Sequence, residues 1–347
     1  MNHINQTIIN SIVKKADKVC PDSLALIGIY GSVATGDDYH KSDLDLMILI
    51  NDDNGWKLGC GFILDDTNIG YDIYCTNWEG LEWESECHHA HLSKLLDSQI
   101  VYVKQQVFLE RYEKIRDKAK AFLASEQRNE KAKASLKNAK LSYAEVCLTD
   151  SISKVRTEAS NAIGCLLDTI MLFNGRYFKL GIKRTFQELE KMKLSPCFKE
   201  GIYSIVNSED AATIKLSLAS LINYVADYIK TQKEKEQPCA ENITGSYEEM
   251  FSNWRNKVEE AANNGDPFAS FMNLCSLQKM IHEMAEDVDT EDFEIMDQYN
   301  PNNLMQNIHV YDIALEKYKK TYDRAGISPK HFANVDEFTK YYLSCHI

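Results

Sequence analysis

The sequence predicts an α+β protein, with a mixed sheet and its helices first and helices alone afterwards. Three observations carry that reading. Short apolar runs of strand length, separated by turn residues, are confined to about the first hundred positions. From Gln105 onward the apolar residues recur at helical spacing with few turn signals. The length, 347 residues, suffices for two or three domains of the usual size, about 100 to 200 residues each.

The opening "MNHINQTIINSIVKKADKV" sets Ile4, Ile8, Ile9, Ile12 and Val13 on one face, which predicts an amphipathic helix and neither a signal peptide nor an anchor. Pro21 to Ser23 break that pattern. Strands are expected over 24–30, 44–50, 60–64, 71–75 and 100–103, and "WEGLEWESECHHAHLSKLL" between the last two is long enough for a helix. Helical periodicity then covers 106–124, 130–173 with room for breaks, 184–193, 197–206 and 209–235. The stretch "KTQKEKEQPCAENITGS", Lys230 to Ser246, has no periodic apolar face and contains Pro238 and Gly245, as a linker would. Further helices are expected over 247–263, 267–288, 308–325 and 335–344. The expected domains are 1–104, 105–235 and 246–347, the first a mixed sheet with helices and the other two helical.

Ten cysteines are scattered without close pairing, which reads as reduced core thiols in a cytoplasm. No apolar run approaches the roughly 20 residues that span a bilayer, so no membrane partner is expected. The net charge is -13, and it is uneven: residues 1–103 hold six lysines, no arginine and sixteen acids, a net of -10. Such a surface repels a nucleic-acid backbone and favours a divalent metal or a cationic small molecule. Homo-oligomerisation is left open.

The acids concentrate in "IYGSVATGDDYHKSDLDLMILI", Ile29 to Ile50. Side chains alternate along a strand, so Asp43 and Asp45 point the same way, about 7 Å apart along the backbone, while Leu44, Leu46, Ile48 and Ile50 mark the other face as apolar. Two carboxylates placed so repel each other unless a cation lies between them, and magnesium prefers such hard oxygen donors. Upstream, Gly31 and Ser32 end a strand, and "VATG" reads as a turn or helix start closed by Gly36. Free backbone N–H groups and the Ser32 hydroxyl make that corner a seat for phosphate. Together, the two halves suit magnesium held on a nucleoside triphosphate.

"GSVATGDDYHKSDLDLMI" resembles the G-S-x-x-x-G-x-x-x-x-x-S-D-x-D-L signature of the DNA polymerase β type nucleotidyltransferase superfamily, matched at Gly31, Ser32, Gly36, Ser42, Asp43, Asp45 and Leu46. The resemblance implies a third carboxylate on a later strand, for which "GYDIYCT" offers Asp72, with Asp65 and Asp66 as rivals. It implies two magnesium ions on Asp43, Asp45 and Asp72, a nucleoside triphosphate such as ATP as co-substrate, and nucleotide contacts from Gly31, Ser32 and Ser42. Many members carry an arginine before the second glycine, where this chain has Thr35; Lys41 is near enough in sequence to replace it. Residues 158–192, "EASNAIGCLLDTIMLFNGRYFKLGIKRTFQELEKM", are similar in pattern to the helical domain of antibiotic nucleotidyltransferases acting on aminoglycosides or lincosamides. That likeness implies a hydroxyl-bearing, cationic small-molecule acceptor, with Asp72 or a helical acid such as Glu145 or Asp150 as base. The alternatives are nucleotidylylation of a protein side chain and a non-catalytic nucleotide-binding subunit. "ECHHAH" sets Cys87, His88 and His91 at helical spacing for zinc, but without a second ligand pair, and surface histidines are the simpler reading.

Overall fold

The computed structural model describes residues 3–36, 38–231, 235–291 and 293–344. They form two compact units, 1–229 and 230–347, so the expected segment 1–104 and nearly all of 105–235 share the first unit.

The first unit is built on a four-stranded sheet, ordered β5-β2-β1-β6. Its strands are β1 (Leu24–Ile29), β2 (Leu46–Ile50), β5 (Cys75–Asn77) and β6 (Gln99–Val103), while β3 (Cys60–Leu64) and β4 (Ile69–Ile73) form a separate hairpin. β1 is antiparallel to both β2 and β6, and β2 is parallel to β5, so the sheet is mixed as the sequence predicts. Two expectations shift. The run expected over 71–75 divides between the hairpin and the main sheet at Tyr74, which is exposed. Asp43 and Asp45 precede β2, which begins at Leu46.

β2 is apolar on both faces because both are covered. Leu46, Ile48 and Ile50 pack with Ile9, Ile12 and Ala16 of α1 (His3–Val19) and with the hairpin's Tyr71 and Ile73. Met47 and Leu49 join a core that includes Leu81 of α3 (Trp78–Ser85), Tyr112 of α5 (Gln106–Ala124) and Leu166 of α7 (Ile152–Phe173). This shared core ties sheet to helices without a seam at residue 104. The other helices of the unit are α2 (Gly31–Thr35), α4 (Ser93–Leu96), α6 (Arg128–Cys147), α8 (Thr185–Leu189), α9 (Pro196–Val206) and α10 (Ala211–Thr231), the last crossing into the second unit by two residues.

The second unit has its own core, centred on α14 (Pro267–Asp287) and α15 (Leu304–Arg324). Tyr318 and Tyr322 of α15 are buried, and each phenol reaches the Ser246 hydroxyl, at 2.7 and 3.4 Å, so the polar ends of these aromatic rings are satisfied. The expected linker is partly anchored to this unit. Glu236 pairs with Val288, and Ile243, in α11 (Ala240–Ile243), is buried among the unit's apolar residues. Positions 232–234 of that stretch, and Cys345, lie outside the described residues. No described helix is long and apolar enough to cross a membrane.

Candidate active site

The end of β1 and the approach to β2 build the site. Tyr30 continues the ladder past β1, its N–H donating to the Asp45 carbonyl at 3.1 Å. The chain then turns sharply: Gly31 takes φ +68°, a left-handed value that glycine adopts without strain, and α2 starts there. A second constraint falls on the same residue, because a Cβ on Gly31 would lie 1.9 Å from Asp45 Oδ2. Gly31 therefore has no side chain for two reasons, its backbone angle and the carboxylate against it. Gly36, at φ 71°, ends the helix by returning its N–H to the Ser32 carbonyl.

That contact has an electrostatic consequence. Asp45 is half-buried, and its acidity is weakened from the usual 3.8 to about 6, first by burial and then by the neighbouring Asp43 charge; the Ser32 backbone N–H works the other way. Tyr30 lies in the same field. Burial, then Asp45, Glu84 and Asp43, push its phenol up to about 12. Glu84 comes from α3, where it forms an ion pair with Lys94 and leaves Oε2 buried without a hydrogen-bond partner. Nothing in "WEGLEWESE" distinguishes Glu84 from the surface acids around it; only the fold turns it toward Tyr30.

The structure brings Gly31, Ser32, Asp43 and Asp45 together. Ser42 shapes the loop between them, its Oγ accepting the Tyr39 N–H at 3.0 Å while its own N–H donates to the Tyr39 carbonyl at 2.9 Å. Tyr39 receives a contact from the helical part, the Lys183 ammonium standing 5.4 Å from its ring centroid. Asp72 is placed differently. It lies exposed on β4 opposite Gly61, and the carboxylate that acts on Asp45 is that of Asp43. The parallel register of β2 and β5, with Ile48 opposite Cys75, would set Asp72 beside Asp45 if it continued three residues further back. β4 pairs with β3 before that point. Among the described residues no three His, Cys, Asp or Glu side chains are grouped to hold a metal ion. Two carboxylates meet here, and their hard oxygens, with Asp45 driven toward protonation, suit a divalent cation that would relieve the repulsion.

The other candidates are dispersed. Glu145 is exposed, and Asp150 forms an exposed ion pair with Lys215 at 3.0 Å. Cys87 is buried, His88 stacks on Trp83 at 4.7 Å and His91 on Phe178 at 5.1 Å, so the three residues considered for zinc diverge.

No family model matches the sequence, and no curated protein matches it. Among solved structures the chain is similar to a nucleotidyltransferase-like protein from Exiguobacterium sibiricum 255-15, at 12% identity and a TM-score of 0.37, over 76% of this chain and 92% of that one. A likeness that distant carries no argument about activity.

Proposed function

We propose that this chain is a nucleotidyltransferase that moves a nucleoside monophosphate from a nucleoside triphosphate, ATP being the first to test, to a hydroxyl of a small molecule. One observation carries the reading: the Asp45 carboxylate is held against the bare backbone of Gly31 beside Asp43, at a cost in burial first and charge repulsion second that the apo fold alone does not need. The signature match from Gly31 to Leu46 gives that arrangement its chemical sense.

In this reading Asp43 and Asp45 would hold magnesium, and Asp72, exposed on β4, is the third carboxylate that the signature implies. When bound, the metal supplies Lewis-acid stabilisation of phosphoryl charge. Gly31 and Ser32 receive the β and γ phosphates on backbone N–H and hydroxyl donors. The acceptor oxygen forms a bond to the α-phosphorus as the bond to the bridging β-phosphate oxygen breaks, and pyrophosphate leaves. The hydroxyl proton goes to a carboxylate, for which Asp72 is the candidate. The net charge of -10 over residues 1–103 supports an aminoglycoside as the first acceptor to try. The test is to incubate the full chain with each nucleoside triphosphate, magnesium and panels of hydroxyl acceptors, reading pyrophosphate and acceptor mass. Mass gain on a small molecule supports the proposal. Gain on protein alone, or none with any acceptor, refutes it.

A further inference from the structure

A cleft of about 330 Å3 lies at the carboxyl end of α7, lined by residues that include Arg176, Lys179, Lys191 and Glu188. The Tyr177 hydroxyl, also in its wall, donates to Asp97 at 2.8 Å, and Asp97 precedes by two residues Gln99, the cross-strand partner of Ile29.

The charge of this wall is opposite to that of the chain. Residues 174–191 carry five cations and two acids in a protein of net charge -13. Cations beside a helix carboxyl end commonly cap its free carbonyls, but here those carbonyls are already taken. Ile170 accepts from Asn174, Met171 from Arg176 and Leu172 from Gly175 through backbone N–H groups, and Phe173 accepts from the Arg128 guanidinium at 3.3 Å. The one acid in the lining does not neutralise the side chains either. Glu188 is 3% exposed, and its oxygens accept the backbone N–H groups of Lys179 and Leu180 at 3.0 to 3.4 Å. Lys179 is partly engaged, 3.9 Å from Asp97 and 5.2 Å from the Tyr177 ring centroid. Among the described residues, Arg176 and Lys191 are exposed and pair with no carboxylate.

We propose that this cleft binds a small phosphate monoester. Arg176 offers a planar fork that matches phosphate oxygens, and Lys179 and Lys191 add point charges. The volume lies at the small end of the range for ligand pockets, about 300 to 1,000 Å3, so a ligand of sugar-phosphate size fits better than a multi-ring compound. The inference stands on the cleft alone, independent of the transferase reading.

The test is calorimetric titration of the full chain with glucose 6-phosphate, glucose and inorganic phosphate. Wild type is expected to bind glucose 6-phosphate but not glucose, with inorganic phosphate competing. The double variant Arg176→Gln/Lys191→Gln, altered only at exposed positions and checked for an unchanged melting temperature, should bind at least about tenfold more weakly. Asp45→Asn should bind as wild type does, which separates this cleft from the carboxylate site. Absence of binding at millimolar concentration, equal binding by the double variant, loss in Asp45→Asn, or competition by magnesium-ATP that depends on Arg176 and Lys191 would each overturn the proposal.

Discussion

Replacing Asp45 by Asn should make the apo protein more stable, and only above the acid range. The carboxylate is displaced from 3.8 to about 6 in the fold, so a proton binds the folded state more tightly than the unfolded one. Below about pH 3 both states are protonated and the residue costs nothing. As pH rises through the window from 3.8 to 6, the unfolded chain ionises freely while the folded chain must hold an unfavourable charge, and stability falls. At about 1.4 kcal/mol for each tenfold change in acidity the limiting cost is about 3 kcal/mol, and solvent reaching the half-buried group reduces it to about 1–2 kcal/mol. Asparagine has nearly the same shape, keeps an oxygen for the Ser32 N–H and carries no charge.

For a unit of this size about 1 kcal/mol moves the melting temperature by roughly 2–4 °C, so Asp45→Asn should melt about 2–8 °C higher than wild type at pH 7.5 and equally at about pH 3. Asp43→Asn should give a smaller gain, since burial outranks the Asp43 charge as the cause. Thermal melts of the three proteins from about pH 3 to 8, without metal or nucleotide, measure this directly. A variant no more stable than wild type at pH 7.5, or more stable by the same amount at every pH, would refute the electrostatic account of Asp45.

Gly31 and Gly36 share a left-handed backbone angle, but an added Cβ meets Asp45 at 1.9 Å in the first case and nothing within 4 Å in the second. Gly36→Ala should therefore cost about 1–2 kcal/mol in chemical denaturation, and Gly31→Ala more, with loss of nucleotide binding; equal costs would mean that the carboxylate contact is unimportant. Asp43→Asn and Asp45→Asn should each lower transfer at least about 1,000-fold, measured as pyrophosphate release at saturating magnesium. Exposed Asp72→Asn should leave the melting temperature unchanged and lower kcat at least about 100-fold; full activity would remove Asp72 from the site. Magnesium with ATP at about 100 times its dissociation constant should stabilise wild type by roughly 2.7 kcal/mol in thermal shift and Asp45→Asn by much less; no shift at millimolar ATP would exclude the phosphate seat at Gly31 and Ser32.

The order of elements was legible because local pattern decides it: Ile4 to Val13 on one face of α1, the apolar run that becomes β2, and the helical spacing after Gln105 all appear in the structure. Partition was harder to read. The run expected over 71–75 is continuous in sequence yet serves two sheets, because Tyr71 and Ile73 pack under the hairpin while Cys75 pairs with Ile48. Alternation across β2 also misleads, since it assigns one face to the core and the other to the carboxylates. The structure buries both faces from Leu46 onward and leaves only the two residues of the carboxylate face ahead of the strand, Asp43 and Asp45, for chemistry.

The same gap between sum and place governs charge. A total over residues 1–103 makes the candidate active site look like one wall of a cation trap, and it argues for a cationic acceptor. Electrostatic attraction acts over distances of about 10 Å at ordinary salt, so what a ligand feels is set by the side chains that surround it and not by a domain total. Around Asp45 that is Asp43 on its own loop, and Tyr30 beside it feels Asp45, Glu84 and Asp43. On the helical side they are Lys183 over Tyr39, and Arg176, Lys179 and Lys191 in the cleft. Acids from the sheet and cations from the segment after α7 thus belong to one compact unit. An anionic group would meet favourable charge in the cleft on the helical side. A polycation would be repelled from the cleft and drawn to the acidic surface that includes Asp43 and Asp45, as the aminoglycoside reading requires, so acceptor charge is the property on which a substrate screen should first be divided.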